Sequence, residues 1–154
     1  MLQLYCANPH LLGGFGEDFA RRMVALDRHE DNAKLAAFRY SFGAHQKNIQ
    51  ETVHGGALAT MIDVVTTIGM LRVTHLRTIS ISLSTEFLNV VKVGEEVEVE
   101  TEIAKIGKNI VFADCRIFTD PHHKRKLACK GQHIKSLLHE HWNFMPAASP
   151  NDKH

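Results

Sequence analysis

The chain has 154 residues, which is enough for one domain whose core folds without disulfide or metal staples. Its 18 Lys and Arg side chains balance 17 Asp and Glu, which excludes a strong overall attraction to nucleic acid or to an acidic membrane surface. Three widely spaced cysteines (Cys6, Cys115 and Cys129) fit free thiols in a reducing compartment better than a disulfide framework.

Membrane and export signals are weak in this sequence. The longest apolar run is interrupted by Asp63 and Arg72, and no stretch approaches the roughly 20 apolar residues of a membrane span. The first residues lack a basic segment before an apolar block, and they include Glu17 and Asp18. We therefore expect a soluble intracellular protein, in the cytoplasm or, as the alternative, in mitochondria.

The first third of the chain contains one predicted helix and one predicted strand. Phe15, Phe19, Met23 and Leu26 recur at helical spacing, which predicts a short amphipathic helix over residues 15–27. The segment KLAAFRYSF alternates apolar and polar residues, which predicts a strand over residues 34–42.

A long apolar helix is predicted over residues 55–72. Apolar side chains surround its axis, so the helix should be buried on nearly every side. Asp63 lies in the middle of this run and should be buried too. A buried carboxylate needs a partner, a hydrogen bond or a functional cleft, so Asp63 is the first candidate for a site residue.

Four further strands are predicted over residues 78–88, 95–106, 109–120 and 126–138, joined largely by hairpins. In the first of them Ile79, Ile81, Leu83 and Phe87 form one apolar face, opposite serines and Glu86. This order predicts an α+β fold in which one antiparallel sheet wraps around a central helix. The predicted domain covers residues 34–138, between an N-terminal segment (1–33) and an irregular tail (139–154).

The start of the long helix has the chemistry of an anion site. A helix N-terminus leaves backbone N–H groups without intrahelical acceptors and carries a partial positive charge. Gly55 and Gly56 add no Cβ atoms there, so a substrate carbonyl can approach these N–H groups. The alternative is that the paired glycines only allow a tight turn.

The arrangement N-x5-HGG-x6-D, formed by Asn48, His54, Gly55, Gly56 and Asp63, resembles the signature of the hotdog-fold acyl-CoA thioesterases, in particular the PaaI-like branch. The similarity extends through the next three predicted strands and covers residues 34–138. The resemblance implies a hotdog fold, with the helix inside the curved sheet, and a role in fatty acid metabolism.

The resemblance also implies roles for individual residues. The N–H of Gly55, helped by Asn48, polarises the thioester carbonyl, and Asp63 activates or orients the attacking water. Ser80 helps to place that water, and His54 lies near the departing sulfur. The alternative for Asp63 is a structural carboxylate that neighbouring threonine hydroxyls satisfy.

Helix geometry adds a prediction about the assembly. The nine residues from His54 to Asp63 correspond to about 13 Å along the helix axis, which is more than one carboxylate side chain spans. If both ends act on one carbonyl, they come from two subunits whose helices run antiparallel across a twofold axis. We therefore expect a homodimer, or a dimer of dimers (a homotetramer), with shared active sites.

Other constellations give weaker signals. A serine hydrolase triad lacks its Gly-x-Ser-x-Gly turn, and GGFGED lacks the preceding strand of a phosphate loop. The pairs His122–His123 and His139/His141 do not have zinc-site spacing, so we expect no metal. Basic residues in two hairpins are candidates for the phosphates of CoA, with ordinary solubilising lysines as the alternative: Lys105, Lys108, Lys124, Arg125 and Lys126.

The sequence thus predicts an acyl-CoA thioesterase that releases a free acid and CoA by Asp-assisted water attack and needs no cofactor. The first alternative is a non-catalytic hotdog protein that binds or senses acyl-CoA. A hydratase or dehydratase of the same fold and an interaction module without a ligand are further alternatives. We expect no nucleic-acid partner.

Overall fold

The computed structural model describes residues 13–26, 29 and 31–139 of the chain. In chain order the elements are α1 (Gly13–Arg22), β1 (Val24–Leu26), β2 (Leu35–Ser41), one 3₁₀ turn (Ala44–Gln46), α2 (Gly55–Thr74), β3 (Arg77–Phe87), β4 (Glu96–Ile106), β5 (Ile110–Thr119) and β6 (Lys126–Leu138). The predicted long helix and the five predicted strands are all present, with ends within two residues of the prediction.

One antiparallel sheet curves around α2. Its strand order is β1-β2-β4-β5-β6-β3. Buried side chains of α2 pack against inward-facing residues of the sheet in a continuous core, which includes Met61, Ile62, Val65, Phe38, Val99 and Ile117. Removing such side chains from water stabilises the fold by about 1.5–3 kcal/mol each. The predicted sheet around a central helix is therefore confirmed.

The N-terminal segment differs from the prediction. The helix ends at Arg22, and Val24–Leu26 forms a short strand that pairs with β2, so a helix that continues to residue 27 is wrong. The hydrogen bonds between β1 and β2 stabilise a strand at Leu26 although its spacing predicts a helix, because tertiary contacts can override local helix propensity. Phe19, Ala20 and Met23 belong to the same core as α2, so this segment packs with the rest of the sheet and helix.

Strand β3 lies at an edge of the sheet, where it pairs with β6 and not with β4, the next strand in the chain. A bulge at Ile81 shifts the pairing between Ser80 and Ser82. Because of the bulge, Leu83 lies on the same inner face as Ser80, while Ile79 is on the outer face. The predicted single apolar face of this strand is therefore wrong.

Two of the cysteines are described. Cys115 and Cys129 are free and buried, as expected for small core side chains. Burial raises the pKa of the Cys129 thiol to about 11 and that of Cys115 further still, which makes both thiols unreactive. Cys6 lies outside the described residues.

By length and composition alone α2 could cross a membrane, a test that buried core helices also pass, and most of it is buried here.

Candidate active site

The N-terminus of α2 leaves one backbone amide free. His54 caps the helix: its Nδ1 accepts a hydrogen bond of 2.8 Å from the N–H of Gly56, and its carbonyl accepts from the N–H groups of Ala57 and Leu58. Among the described residues the N–H of Gly55 has no acceptor. The first turn therefore offers one N–H group to an oxygen from outside the chain.

Two clefts adjoin this helix start. A cleft of about 320 Å³ is lined by Gly55, Asn48 and Phe87, among others. A second, of about 710 Å³, is lined by His54, Gly56 and residues of α1, including Phe15. The free N–H of Gly55 thus belongs to a residue that lines an open cleft.

Asn48 shapes the loop before α2. Its Oδ1 accepts hydrogen bonds from the N–H groups of Gln50 and Thr52, and its Nδ2 lies 2.9 Å from the Thr52 hydroxyl. Glu51 takes a left-handed conformation (φ 62°) to close this turn. Asn48 therefore lines the cleft of Gly55, and its side chain also holds the turn that leads into the helix.

The Asp63 side chain is 48% exposed, so the predicted burial of this residue is wrong for a single chain. Its Oδ1 accepts a hydrogen bond of 3.3 Å from the Thr67 hydroxyl and lies 3.6 Å from Nδ1 of His133 and 3.8 Å from Nζ of Lys135. Within the described part of the chain, Oδ2 accepts no hydrogen bond. Oδ1 is therefore held by the protein, and Oδ2 is available to a water molecule.

A buried histidine joins Asp63 to Ser80. Thr66 directs its single hydroxyl hydrogen to carbonyls of its own helix turn, so its oxygen accepts the 2.7 Å hydrogen bond from Nδ1–H of His133. Burial, followed by the charge of Lys135, lowers the pKa of His133 to about 4, despite the opposing effect of Asp63. Nε2 of the neutral ring is then an acceptor, and the Ser80 hydroxyl, 3.0 Å away, donates to it.

This hydrogen-bond direction decides what Ser80 offers to a ligand. Its hydrogen is directed to His133, so toward a ligand the Ser80 oxygen can only accept. A water molecule next to Ser80 and Asp63 would therefore donate both hydrogens to acceptors, and its own lone pair would stay free for attack. The expected role of Ser80 in placing the water stays a prediction.

Sequence reasoning missed His133 and Lys135. Both lie on β6, where Cys129, Gly131, His133, Lys135 and Leu137 alternate toward the inner face. Their alternation with apolar residues could have identified them as inward-facing. An imidazole or an ammonium is rarely buried without a partner, so both residues could then have been predicted to contact a site residue.

The site residues form two separate groups within one chain. Asn48, His54, Gly55 and Gly56 lie at the start of α2. Asp63 and Ser80 lie further along the helix with His133. Asp63 lies eight positions after Gly55, which corresponds to about 12 Å of helix rise, so a single chain does not bring both groups to one carbonyl.

Of the basic candidates, Arg125 is already paired. Its guanidinium donates a hydrogen bond of 2.8 Å to Glu98, pairs with Glu100 and lies 3.6 Å above the Phe118 ring. The four lysine candidates are exposed, and they lie in two different hairpins. Because β5 separates the two hairpins, they lie at opposite ends of the sheet, roughly 33 Å apart for a ten-residue strand.

Two histidines of the predicted pairs have ordinary hydrogen-bond partners. His122 Nε2 lies 2.7 Å from Glu96, and His139 Nε2 lies 3.2 Å from Asn109. His141 is outside the described residues. No group of three or more metal-ligating side chains occurs in the part of the chain that the structure describes.

Comparison with known proteins assigns the chain to a family. The family model described as the thioesterase superfamily matches residues 50–126, half of the chain. The chain belongs to this superfamily. The matched range contains the start of α2, Asp63 and Ser80, so the thioesterase resemblance of the sequence is confirmed at family level.

Curated relatives carry hydrolase names. A Caenorhabditis elegans protein named as an esterase is 32% identical over 92 residues, which cover 59% of this chain and 53% of that protein. Acyl-coenzyme A thioesterase 13 of Mus musculus is 29% identical over 87 residues, which cover 56% of this chain and 61% of that protein. The matches thus span little more than half the length of these relatives.

Solved structures confirm the hotdog fold. Thioesterase superfamily member 2 from Mus musculus has a TM-score of 0.75 at 21% identity and covers 88% of this chain and 96% of its own. A thioesterase protein from Streptococcus pneumoniae, solved with coenzyme A, has a TM-score of 0.68 at 14% identity over 77% of this chain and 87% of its own. PaaI of E. coli has a TM-score of 0.64 at 15% identity over 74% and 82%.

Proposed function

We propose that this protein hydrolyses an acyl-CoA thioester to a carboxylic acid and CoA. Water attacks the carbonyl carbon and gives its proton to Asp63, while the carbonyl oxygen becomes an oxyanion. The oxyanion then re-forms the carbonyl, the carbon–sulfur bond breaks, and the sulfur leaves as a thiolate that takes up a proton. Superfamily membership and the names of the relatives support thioester hydrolysis in general.

The observation that carries this proposal is the pair of unoccupied polar atoms in the two groups. Within residues 13–26, 29 and 31–139 the N–H of Gly55 has no acceptor and Oδ2 of Asp63 accepts no hydrogen bond, so the first can donate to the oxyanion and the second can accept from the water. Charge development in the transition state is stabilised best by donors that are already oriented. The contacts of Oδ1 with Thr67 and β6 hold the carboxylate in place before substrate binds.

Hydrogen-bond direction at His54 supports its role near the leaving group. Nδ1 accepts from the N–H of Gly56, so the proton of the neutral ring is on Nε2. Among the described residues Nε2–H has no acceptor, and His54 lines the larger of the two clefts. The resemblance implies that His54 lies near the departing sulfur, where a donor stabilises the thiolate.

The proposed site needs two copies of the chain, because Gly55 and Asp63 are too far apart in one. Strand β3 supports this assembly: it pairs only with β6 among the described strands, and Ile79 and Ile81 on it are each 57% exposed. A long apolar edge strand is a template for pairing with another chain. Antiparallel pairing of two β3 strands across a twofold axis would bring Asp63 of one copy toward Gly55 of the other.

The proposal includes CoA as the thiol that carries the acyl group. The names of the mouse relative and of the Streptococcus pneumoniae structure refer to coenzyme A, which supports CoA as the group that carries the acyl chain. Exposed Lys124 and Lys126 at one end of the sheet and Lys105 and Lys108 at the other are candidate phosphate contacts. An intracellular location, in the cytoplasm or in mitochondria, stays a prediction.

A panel of acyl-CoAs tests the function. We expect thiol release from at least one substrate, and Asp63→Asn should lower kcat by at least about a hundredfold while KM changes little, because the amide fills the same space without taking the proton. Asp114→Asn is the matched control, since Asp114 contacts Gln132 on the outer face of the sheet. Acyl-CoA binding without turnover would replace hydrolysis with the non-catalytic binding function.

A further inference from the structure

Lys135 has a buried ammonium group to which the proposed reaction assigns no role. Its side chain is 6% exposed, and Nζ donates a hydrogen bond of 2.7 Å to the Thr67 hydroxyl and lies 3.8 Å from Oδ1 of Asp63. Burying an ammonium costs several kcal/mol unless it is well paired. A lysine at this position therefore needs a reason other than stability of the fold.

The hydrogen bonds around Lys135 have only one consistent direction. An ammonium can only donate, so the Thr67 oxygen accepts from Nζ. The single hydrogen of Thr67 is then directed to Oδ1 of Asp63 at 3.3 Å. Lys135 thus orients Thr67, and Thr67 in turn holds one oxygen of the carboxylate.

We propose that Lys135 is a positioning residue for Asp63: through Thr67 and through its own charge, it holds Oδ1 so that Oδ2 faces the attacking water. This inference rests on the proposed function, because it assigns Lys135 a role toward the residue that takes the proton. Lys135 does not touch the substrate carbonyl and acts only through the carboxylate.

The surroundings of Lys135 favour this role over a structural one. Its direct neighbours in the sheet are Ser80 on β3 and Val111 on β5, neither of which carries a charge. Among the described residues, the titratable groups in contact with Asp63 are His133 and Lys135, both on β6. Since His133 is neutral near pH 7, Lys135 supplies the positive charge beside Asp63.

Kinetics of two variants test the proposal. Lys135→Met removes the charge and keeps an unbranched chain, and Thr67→Val removes only the bridging hydroxyl. We expect kcat to fall by at least about tenfold in Lys135→Met, with a smaller fall in Thr67→Val and a KM change below about threefold in both. Lys130→Met is the matched control on the same strand, because Lys130 is exposed and pairs with Glu86.

Thermal unfolding separates positioning from a structural role. Lys135→Met removes the cost of burying an ammonium, and the remaining Asp63 carboxylate is 48% exposed and stays solvated, so Tm should be kept or raised while kcat falls. A variant with lowered Tm but wild-type kcat per folded molecule would overturn the proposal. If Lys135→Met does not fold, an unchanged kcat in Thr67→Val overturns it in the same way.

A measurement without substrate tests the interaction between Lys135 and Asp63 independently of the proposed hydrolysis. Burial lowers the pKa of Lys135, and the Asp63 carboxylate opposes that effect. NMR titration of the lysine side chains should therefore show a still lower pKa for Lys135 in Asp63→Asn than in the wild type, with Lys130 unchanged. An equal pKa in both proteins would refute the coupling, whether or not the protein hydrolyses thioesters.

Discussion

Gly55→Pro deletes the single backbone N–H on which the proposed oxyanion contact depends. Proline is well tolerated at the first position of a helix, where the missing N–H has no intrahelical partner. Gly55 is that position, and His54 before it has ψ 136°, which is the extended conformation that a residue before proline prefers. The substitution therefore removes a donor while the helix start keeps its conformation.

The expected size of the effect follows from the contacts of the first turn. The next N–H, that of Gly56, is occupied by His54 Nδ1, so no neighbouring amide replaces the deleted one. Loss of one preorganised oxyanion donor lowers kcat by about a hundredfold to a thousandfold, or about 2.7–4 kcal/mol of transition-state stabilisation. KM should change little, because the contact strengthens only as charge develops on the oxygen.

Gly55→Ala is the matched control for steric effects. A Cβ atom at this position would lie 3.3 Å from the Phe87 ring in either variant, and that ring is half-exposed and can move. Alanine keeps the N–H, so kcat of Gly55→Ala should stay within about tenfold of wild type. The assay is thiol release under saturating acyl-CoA, together with Tm. Equal kcat in the proline and alanine variants would refute the oxyanion role of Gly55.

Three further predictions concern the assembly, the carrier and the pH dependence. Mixing inactive Asp63→Asn chains with inactive Gly55→Pro chains under subunit exchange should restore roughly a quarter of wild-type activity, because half of the dimers have one intact site of two. Replacing Lys124 and Lys126 with alanine should raise KM for acyl-CoA more than for an acyl-pantetheine, which lacks the nucleotide phosphates. The wild-type free energy of unfolding should fall as the pH drops from about 6.5 to about 4, by at most about 1.4 kcal/mol per pH unit. In this window the unfolded chain protonates His133, while burial keeps the folded ring neutral, so His133→Gln should flatten the slope.

Each of these measurements has its own contradicting result. Verified subunit exchange without recovered activity would contradict a shared site. Equal KM effects on both substrates would remove Lys124 and Lys126 from phosphate binding; Arg125 is left intact because it pairs with buried Glu98. For the pH dependence the control is His122→Gln, an exposed histidine. An unchanged slope in His133→Gln would show that other groups cause the loss of stability.

Local sequence patterns determined much of the fold. Alternating segments gave β2 and β4–β6 within about a residue, and the continuous apolar run gave α2 with its start at Gly55. Such patterns are reliable because a period of two or of 3.6 residues reflects which face of one element is removed from water. The thioesterase signature was equally local, since its residues lie between 48 and 80.

Contacts distant in sequence were decided only in the tertiary structure. Asp63 is held by Lys135, 72 positions away, and Ser80 is oriented by His133 on the neighbouring strand. These contacts depend on β3 pairing with β6 instead of β4 and on the bulge at Ile81, which places Ser80 on the inner face. Periodicity states that a face is apolar but not which strand lies beside it, because strand order and register follow from the packing of the whole sheet around α2.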